Sequence, residues 1–318
     1  MKGLLLMVCA EFCFSSVALL VKLSLLPVSL ILLSRSCIVA VLCLIVLGFH
    51  GILSKPFSNR TKLLMILKGI FGLASTWAVY FSLEQLPLAD AVTLQFLAPG
   101  FVILLAACIL KEPFKLLNIV HATISLVGVL LVTQPETLFR KESLSRLVPT
   151  VVAVGGSFAA ACSFVCVTAI TEPVSSFLVL LYHECIMLFA SAVFLWLRRQ
   201  GLKHLLVSSR MLSIALIGPI VFIAQYCLIS SLREGPASQV TSVKYVQIIF
   251  AFFWQAALLR QEKFELWSSI GSFLVVFSVS FKFLHDYWTL KRDGNKAALL
   301  SSGHSTESSE SLQDSDSA

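Results

Sequence analysis

The feature that most constrains this fold is a succession of ten apolar segments separated by short loops. A transmembrane helix needs about 20 predominantly apolar residues. Because short loops join consecutive helices, each helix must lie antiparallel to the next. The pattern predicts an all-α polytopic membrane protein with ten transmembrane helices. The candidate segments are 3–22, 27–49, 62–83, 88–110, 115–133, 147–170, 174–197, 211–231, 237–259 and 264–284.

The composition supports a lipid bilayer as the surroundings of the chain. Hydrophobic residues make up 58% of the sequence and charged residues only 13%, whereas a soluble domain carries about 25% charged residues. A soluble globule this apolar would expose large adhesive patches. The formal charge of +7 is spread over short loops, where basic residues orient membrane helices. We therefore expect no nucleic-acid partner.

An internal repeat is visible at a constant offset of 149 residues. Trp77 aligns with Tyr226, and Pro87 aligns with Pro236. Each single match is weak, but the order and spacing of the matches predict a duplicated unit.

The two predicted units span residues 3–133 and 147–284, with five helices each. Because five is odd, the second unit enters the membrane from the opposite side, which is the inverted repeat of many secondary transporters. Basic loops of the first unit favour a cytosolic N-terminus, although those of the second unit do not follow the positive-inside rule. Residues 291–318 form an acidic, serine-rich tail that we expect to be disordered. Both termini are expected to be cytosolic.

One stretch resembles a known family. The run Leu-Pro-Leu-Ala-Asp-Ala at 86–91, then Pro99 and Glu112, is similar to the fourth-helix signature of the drug/metabolite transporter superfamily. The nearest branches are its EamA-like and solute-carrier-35-like members. The resemblance covers about residues 3–284 and implies a 5+5 inverted repeat of ten helices. It also implies a central cavity lined mainly by helices 1, 3, 4, 6, 8 and 9.

Departures from the family pattern occur in the second unit. Gln239 replaces the acidic residue of the signature and Ile248 replaces its proline. The two sides of a cavity would therefore differ chemically.

Lys244 is the leading candidate for binding a solute. A charged side chain at mid-membrane costs about 2.5 kcal/mol or more, and Lys244 lies well inside helix 9. It is predicted to bind an anionic group, a role that the family resemblance also implies for a helix-9 lysine. A salt bridge within the bundle, or extension of the side chain to the interface, is the alternative. Tyr245 is its favoured neighbour, and Gln95 is its repeat equivalent.

Glu11 interrupts the apolar run of helix 1. It is predicted either to couple transport to a proton or counter-ion, or to form a structural pair with Lys22, Arg35 or Lys244. Arg35 lies on helix 2, which is peripheral in the family that this sequence resembles. A structural ion pair is therefore favoured for Arg35.

Aromatic and amide side chains could complete the site. Trp77 and Tyr80 lie on helix 3 and Tyr226 on helix 8, where their rings could sandwich a sugar or a planar ring. Packing within the bundle is the alternative. Gln225 and Gln95 can hydrogen-bond either a solute or a neighbouring helix.

A zinc site is not expected. His183 and Glu184 begin like the HExxH motif, but Met187 occupies the place of the second histidine, so one metal ligand is missing. A structural or gating polar cluster remains. We expect no metal and no cofactor.

Together these patterns predict a secondary transporter or exchanger. It would move a small, polar, anionic organic metabolite by alternating access, as a monomer or a homodimer. The sequence has no ATP-binding motif and no complete catalytic motif, so an enzyme is not expected. The alternative is a non-transporting membrane receptor or assembly factor that acts through its tail.

Overall fold

The regular elements of this computed structural model are all helical within the residues it describes. Those residues are 2–24, 28–49, 57–86, 94–113, 116–133, 147–197, 208–254 and several short stretches between 267 and 289. The helices are α1 (Lys2–Ser24), α2 (Val28–Phe49), α3 (Asn59–Gln85), α4 (Ala98–Ile109), α5 (Leu116–Thr133), α6 (Leu147–Thr168), α7 (Ser176–Leu197), α8 (Ser208–Arg233), α9 (Ala237–Thr241), α10 (Val246–Trp254) and α11 (Phe273–Lys282).

Six helices, α1, α2, α3, α6, α7 and α8, are long and apolar enough to cross a membrane. Large hydrophobic side chains also point outward: Phe49 is 87% exposed and Trp196 is 78% exposed. A surface of this kind is stable against lipid and would aggregate in water. The expectation of an all-helical, multi-pass integral membrane protein is confirmed.

The helix α1 lies antiparallel to α8. The Nζ atom of Lys2 is 2.6 Å from the Oε1 atom of Glu234, just after the end of α8. Further along α1, the Sγ atom of Cys9 is 3.9 Å from that of Cys227. The contact point moves back along α8 as it moves forward along α1, so the two helices run in opposite directions.

The helices α3 and α6 form a second antiparallel pair. The hydroxyl of Ser163 donates to the carbonyl of Lys68 (3.1 Å), and the hydroxyl of Ser82 donates to the carbonyl of Pro149 (3.4 Å). The packing is close because Gly156 lies in the contact. A Cβ atom added there would come within 2.5 Å of a side chain on α3.

Two helices expected to be continuous are interrupted. The segment expected as one helix over 237–259 is divided by a 3₁₀ turn at Ser242–Tyr245. The segment expected over 88–110 has a turn at Phe96 and Leu97 before α4 begins. Pro99 lies in the first turn of α4, where its missing amide proton costs no intrahelical bond. A proline suits the start of a new helix better than the interior of a long one.

At the end of the bundle that holds the N-terminus, polar contacts join the helix ends. The carboxylate of Glu112 accepts hydrogen bonds from the amides of Ala237 (2.6 Å) and Ser238 (3.2 Å), and from the Ser238 hydroxyl (2.6 Å). It therefore caps the exposed amides at the start of α9, where a negative charge is favourable. The guanidinium of Arg233 donates to the carbonyl of Glu172 (2.9 Å).

Candidate functional site

A buried ion pair lies between α1 and the 3₁₀ turn. The Nζ atom of Lys244 is 3.4 Å from the Oε1 atom of Glu11, whose side chain is fully buried. The ammonium also lies near two aromatic rings, at 5.8 Å from the ring centre of Phe14 and 5.9 Å from that of Phe164. Such contacts stabilise a cation that has lost part of its hydration. Of the three partners considered for Glu11, the structure pairs it with Lys244.

The backbone around Lys244 is held by side chains from other helices. A 3₁₀ turn departs from the α-helical hydrogen-bond pattern, so its carbonyls need other donors within a bilayer. The Nε2 atom of His121 lies 3.0 Å from the carbonyl oxygen of Ser242. The hydroxyl of Tyr245 donates to the carbonyl of Phe96 (3.2 Å), and the two rings stack. The interruption is therefore a fixed feature that places Lys244 between helices.

Gln95 lies at the other interruption, in the segment expected as a helix over 88–110. It is half-buried, directly before Phe96 in the turn that precedes α4. The carbonyl of the preceding residue, Leu94, accepts a hydrogen bond from the hydroxyl of Ser157 on α6. Gln95 and Lys244 therefore stand at two interrupted helices, whose turns meet through the contact between Phe96 and Tyr245.

The aromatic candidates are more dispersed. Tyr226 on α8 is half-buried and stacks on Phe177 with ring centres 4.4 Å apart. Trp77 on α3 is 53% exposed and stacks on Phe81 of the same helix at 5.4 Å. Tyr226 thus stacks on a ring of a neighbouring helix, whereas Trp77 stacks on a ring of its own helix. Their role as solute contacts stays a prediction.

The remaining candidates divide into two groups. Gln225 is half-buried on α8, next to the stacked tyrosine. The side chains of Tyr80 and Lys22 lie outside the described residues, so the predictions made for them stay predictions.

Arg35 belongs to a second charged cluster, away from Glu11. The cluster joins Arg35 on α2 and Glu184 on α7 to Lys68 on α3, and Glu184 interacts electrostatically with both cations. His183 is buried beside them, against Gly72 of α3. Lys68 did not stand out in the sequence, because basic residues near the start of a membrane helix usually reach the interface. Its depth, ten residues into α3, was the available signal.

Long apolar helices, a lipid-compatible surface and a buried polar centre define a multi-pass integral membrane protein. The sequence profile of the EamA-like transporter family matches residues 1–134 and again residues 149–284. The chain therefore belongs to the EamA-like transporter family.

Similar proteins come from eukaryotes and bacteria. An uncharacterised membrane protein of Saccharomyces cerevisiae is 27% identical over 70% of this chain and 57% of its own length. Solute carrier family 35 member G1 of Mus musculus is 27% identical, over 68% of this chain and 60% of its own length. The pseudopaline exporter CntI of Pseudomonas aeruginosa is 24% identical over 80% of this chain and 86% of its own. The chain thus spans less than two thirds of the first two relatives.

The fold has a counterpart among solved structures. One crystal structure superposes with a TM-score of 0.77, covering 89% of this chain and 99% of the other, at 16% sequence identity. At this identity the match concerns the fold alone.

Proposed function

We propose that this chain is a secondary transporter or exchanger for a small, polar, anionic organic solute, and that it works by alternating access. The observation that carries the proposal is the buried pair of Glu11 and Lys244. A buried charge needs a reason, and in membrane proteins that reason is commonly a substrate or ion pathway. Here the pair joins the first helix to an interrupted helix of the other half, which is the usual place of a transporter site.

The proposed architecture is an inverted repeat of two five-helix units, 3–133 and 147–284. The antiparallel packing of α1 on α8 and of α3 on α6 supports it. Since α1 and α3 are separated by one intervening span, they cross the membrane in the same direction. The helices α6 and α8 then both cross in the opposite direction, so the first helix of one unit runs opposite to the first helix of the other.

A local two-fold axis is supported by one contact in particular. Phe96 and Tyr245 are 149 positions apart, which is the offset that aligns the two units. Residues on or near a two-fold axis contact their own equivalents. Alternating access in such folds is a rocking of one repeat against the other around a site of this kind.

The pair also suggests how a solute binds. Because Glu11 already neutralises Lys244, a carboxylate or phosphate on the solute must compete with Glu11 for the ammonium. Once displaced, Glu11 would need a proton or another cation, since an unpaired buried carboxylate is costly. That exchange would link solute binding to a coupling ion. The absence of an ATP-binding motif from the sequence agrees with energy drawn from a gradient or from exchange.

Thermal stability of the purified full-length protein in detergent tests this proposal. Its melting temperature would be recorded against nucleotide sugars, nucleotides, carboxylates and amino acids. A ligand that binds only the folded state raises stability by RT ln(1 + [L]/Kd). We expect an anionic solute to stabilise the wild type and to lose this effect in Lys244→Met.

A matched control is Lys2→Met, which also removes a lysine paired with a glutamate, here Glu234 at the end of α8. That lysine is 73% exposed, so its loss should leave solute binding intact. If a neutral solute stabilises the wild type and Lys244→Met equally, the anionic site at Lys244 is wrong. If no solute in the panel acts, and none is taken up by proteoliposomes, the transporter proposal itself fails.

The alternative, a receptor or assembly factor, depends on residues 291–318. They lie outside the described residues, and no observation in the structure favours that function.

A further inference from the structure

A chain of four polar side chains crosses the boundary between the two halves that the family profile matches. The Nζ atom of Lys282 on α11 donates to the Oδ1 atom of Asn118 on α5 (3.1 Å), and the Nδ2 atom of Asn118 donates to the hydroxyl oxygen of Ser238 on α9 (3.4 Å). The Ser238 hydroxyl donates in turn to the carboxylate of Glu112, just after the end of α4 (2.6 Å). We call these four residues the Lys282 relay. Glu112 and Asn118 belong to the first half, and Ser238 and Lys282 belong to the second.

Every bond of the Lys282 relay points the same way, from a buried ammonium to a carboxylate nearer the surface. Lys282 is 2% exposed, and Asn118 and Ser238 are also buried, whereas Glu112 is half-buried. The relay thus connects a cation inside the bundle, through two neutral groups, to an anion at the end of the bundle that holds the N-terminus. Hydrogen bonds in series polarise one another, so the loss of one member weakens the rest.

The helix that the relay holds, α9, is bounded by an interruption on each side. Gly235 and Pro236 separate it from α8, and the 3₁₀ turn Ser242–Tyr245 follows it directly. Movements of helices are absorbed at such element ends, where a few residues take up the change in φ and ψ. The five residues of α9 therefore form a short unit with a hinge position at each end.

Other polar contacts join the two halves at the same end of the bundle. The Nζ atom of Lys2 lies 2.6 Å from the Oε1 atom of Glu234, and the amide of Ser58 donates to the Oε2 atom of Glu172 (3.2 Å). Water can replace a hydrogen bond between protein groups at a small net cost, whereas apolar side chains that separate lose their burial. A boundary made of polar contacts is therefore suited to repeated opening.

We propose that the Lys282 relay is a latch, a contact that keeps this end of the bundle closed, and that its release lets α9 move away from α4 and α5. The proposal rests on the alternating access proposed above. Ser238 lies six residues before Lys244, which is about 9 Å along a helix axis. An opening at α9 therefore leads to the pair of Lys244 and Glu11, and the conformation described here is the one closed at the end that holds the N-terminus.

Hydrogen–deuterium exchange of the full-length protein in detergent, read by mass spectrometry of its peptides, tests the latch. The closed end is read at the starts of α1 and α3, which lie outside the relay. The opposite end is read at the end of α3 and the start of α6, where Ser82 bonds to the carbonyl of Pro149. Glu112→Ala removes three hydrogen bonds to α9. We expect exchange at the closed end to rise about tenfold, since exchange follows the population of the open state. Exchange at the opposite end should fall, because rocking that opens one end closes the other.

Two further variants separate the latch from a purely structural role. Lys282→Met changes a residue that reaches α9 only through Asn118 within the relay, and it should shift both ends in the same directions as Glu112→Ala, by about threefold. Ser238→Ala should do the same, because it interrupts the relay and leaves both charges in place. Its matched control is Ser34→Ala, which removes a hydroxyl that bonds within its own helix, to the carbonyl of Leu30 (2.7 Å). That control should exchange like the wild type at both ends.

Opposite changes at the two ends support the latch, and any other pattern rejects it. A rise at both ends, for example, reports general destabilisation. The same opposite changes in Ser34→Ala would also reject it, since they would not depend on the relay. If Glu112→Ala does not fold, Ser238→Ala decides by the same two readings. No solute is used here, so a failed latch leaves the solute test of Lys244→Met to decide the proposed function separately.

Discussion

The ion pair between Glu11 and Lys244 makes a quantitative prediction about stability. We consider the single variants Glu11→Met and Lys244→Met and the double variant that carries both. Methionine has nearly the volume of either side chain, so the changes remove charge with little change in packing. The coupling between the two sites then reports the ion pair itself.

The expected magnitudes follow from the geometry. At the observed separation of 3.4 Å, the attraction between the two charges is about 5 kcal/mol for an effective dielectric constant near 20. Desolvation of both ions offsets much of it, and removal of one partner from a buried pair typically costs about 3–5 kcal/mol. Lys244→Met should lie at the upper end, because it leaves the fully buried Glu11 without a counter-charge. Glu11→Met should cost less, since the Lys244 side chain is 18% exposed.

The double variant should be close to the wild type, within about 1.5 kcal/mol, because a buried pair can often be replaced by apolar residues at little cost. The free energy of unfolding would be measured for all four proteins in mixed micelles with increasing amounts of a denaturing detergent. The two single costs of about 3 kcal/mol or more each, set against a double cost of at most about 1.5 kcal/mol, give an expected coupling energy of at least about 4.5 kcal/mol. A coupling energy below about 0.5 kcal/mol would mean that the two charges do not interact, and the site built on them would be wrong.

Two further predictions test the contacts between the halves. Gly156→Ala should destabilise the protein by about 1–3 kcal/mol, because the new Cβ atom would lie 2.5 Å from the Cβ atom of Ala78. Its neighbour Gly155 has nothing within 4 Å of such an atom, so Gly155→Ala should be neutral or stabilising by up to about 1 kcal/mol; the reverse order of the two melting temperatures would refute the α3–α6 packing. An oxidant such as copper phenanthroline should join Cys9 to Cys227, whose Sγ atoms are 3.9 Å apart, as read from the linked peptides by mass spectrometry. No such link in the wild type would contradict the α1–α8 contact.

The helical, membrane-spanning character of the chain could be predicted from sequence because it depends on one strong local signal. Each span is a run of apolar residues of bilayer length, and lipid leaves the backbone few alternatives to a helix. The boundaries of α2, expected at 27–49 and found at Val28–Phe49, show how well this signal works where loops are short. It works less well for α3, which begins at Asn59, three residues before the expected start. Polar residues in the first turn of that helix hide its beginning.

The candidate site was predictable only in part. Glu11 and Lys244 were identified because a charge inside an apolar run is conspicuous, but their pairing brings together residues 233 positions apart, and no local pattern encodes that. Lys68 was missed because its position near a helix start resembles that of an interfacial lysine. Its burial depends on how α2 and α7 pack around it.

The sequence also did not predict the interruptions of the two segments expected as single helices over 88–110 and 237–259. These interruptions bear most directly on the proposed function. Hydropathy cannot reveal them, since the residues of the 3₁₀ turn are as suited to a helix as their neighbours. Tertiary contacts stabilise the 3₁₀ turn. The His121 ring lies against the carbonyl of Ser242, and the Tyr245 hydroxyl donates a hydrogen bond to the carbonyl of Phe96. An unbroken helix would satisfy these carbonyls internally and would have no use for either partner. The break is instead held by the side chain of His121 from another helix and by the backbone carbonyl of Phe96, and Lys244 lies within it. A structure that maintains irregular backbone at membrane depth usually does so where that backbone lines a pathway, and this is why the break, together with the ion pair, locates the proposed solute site.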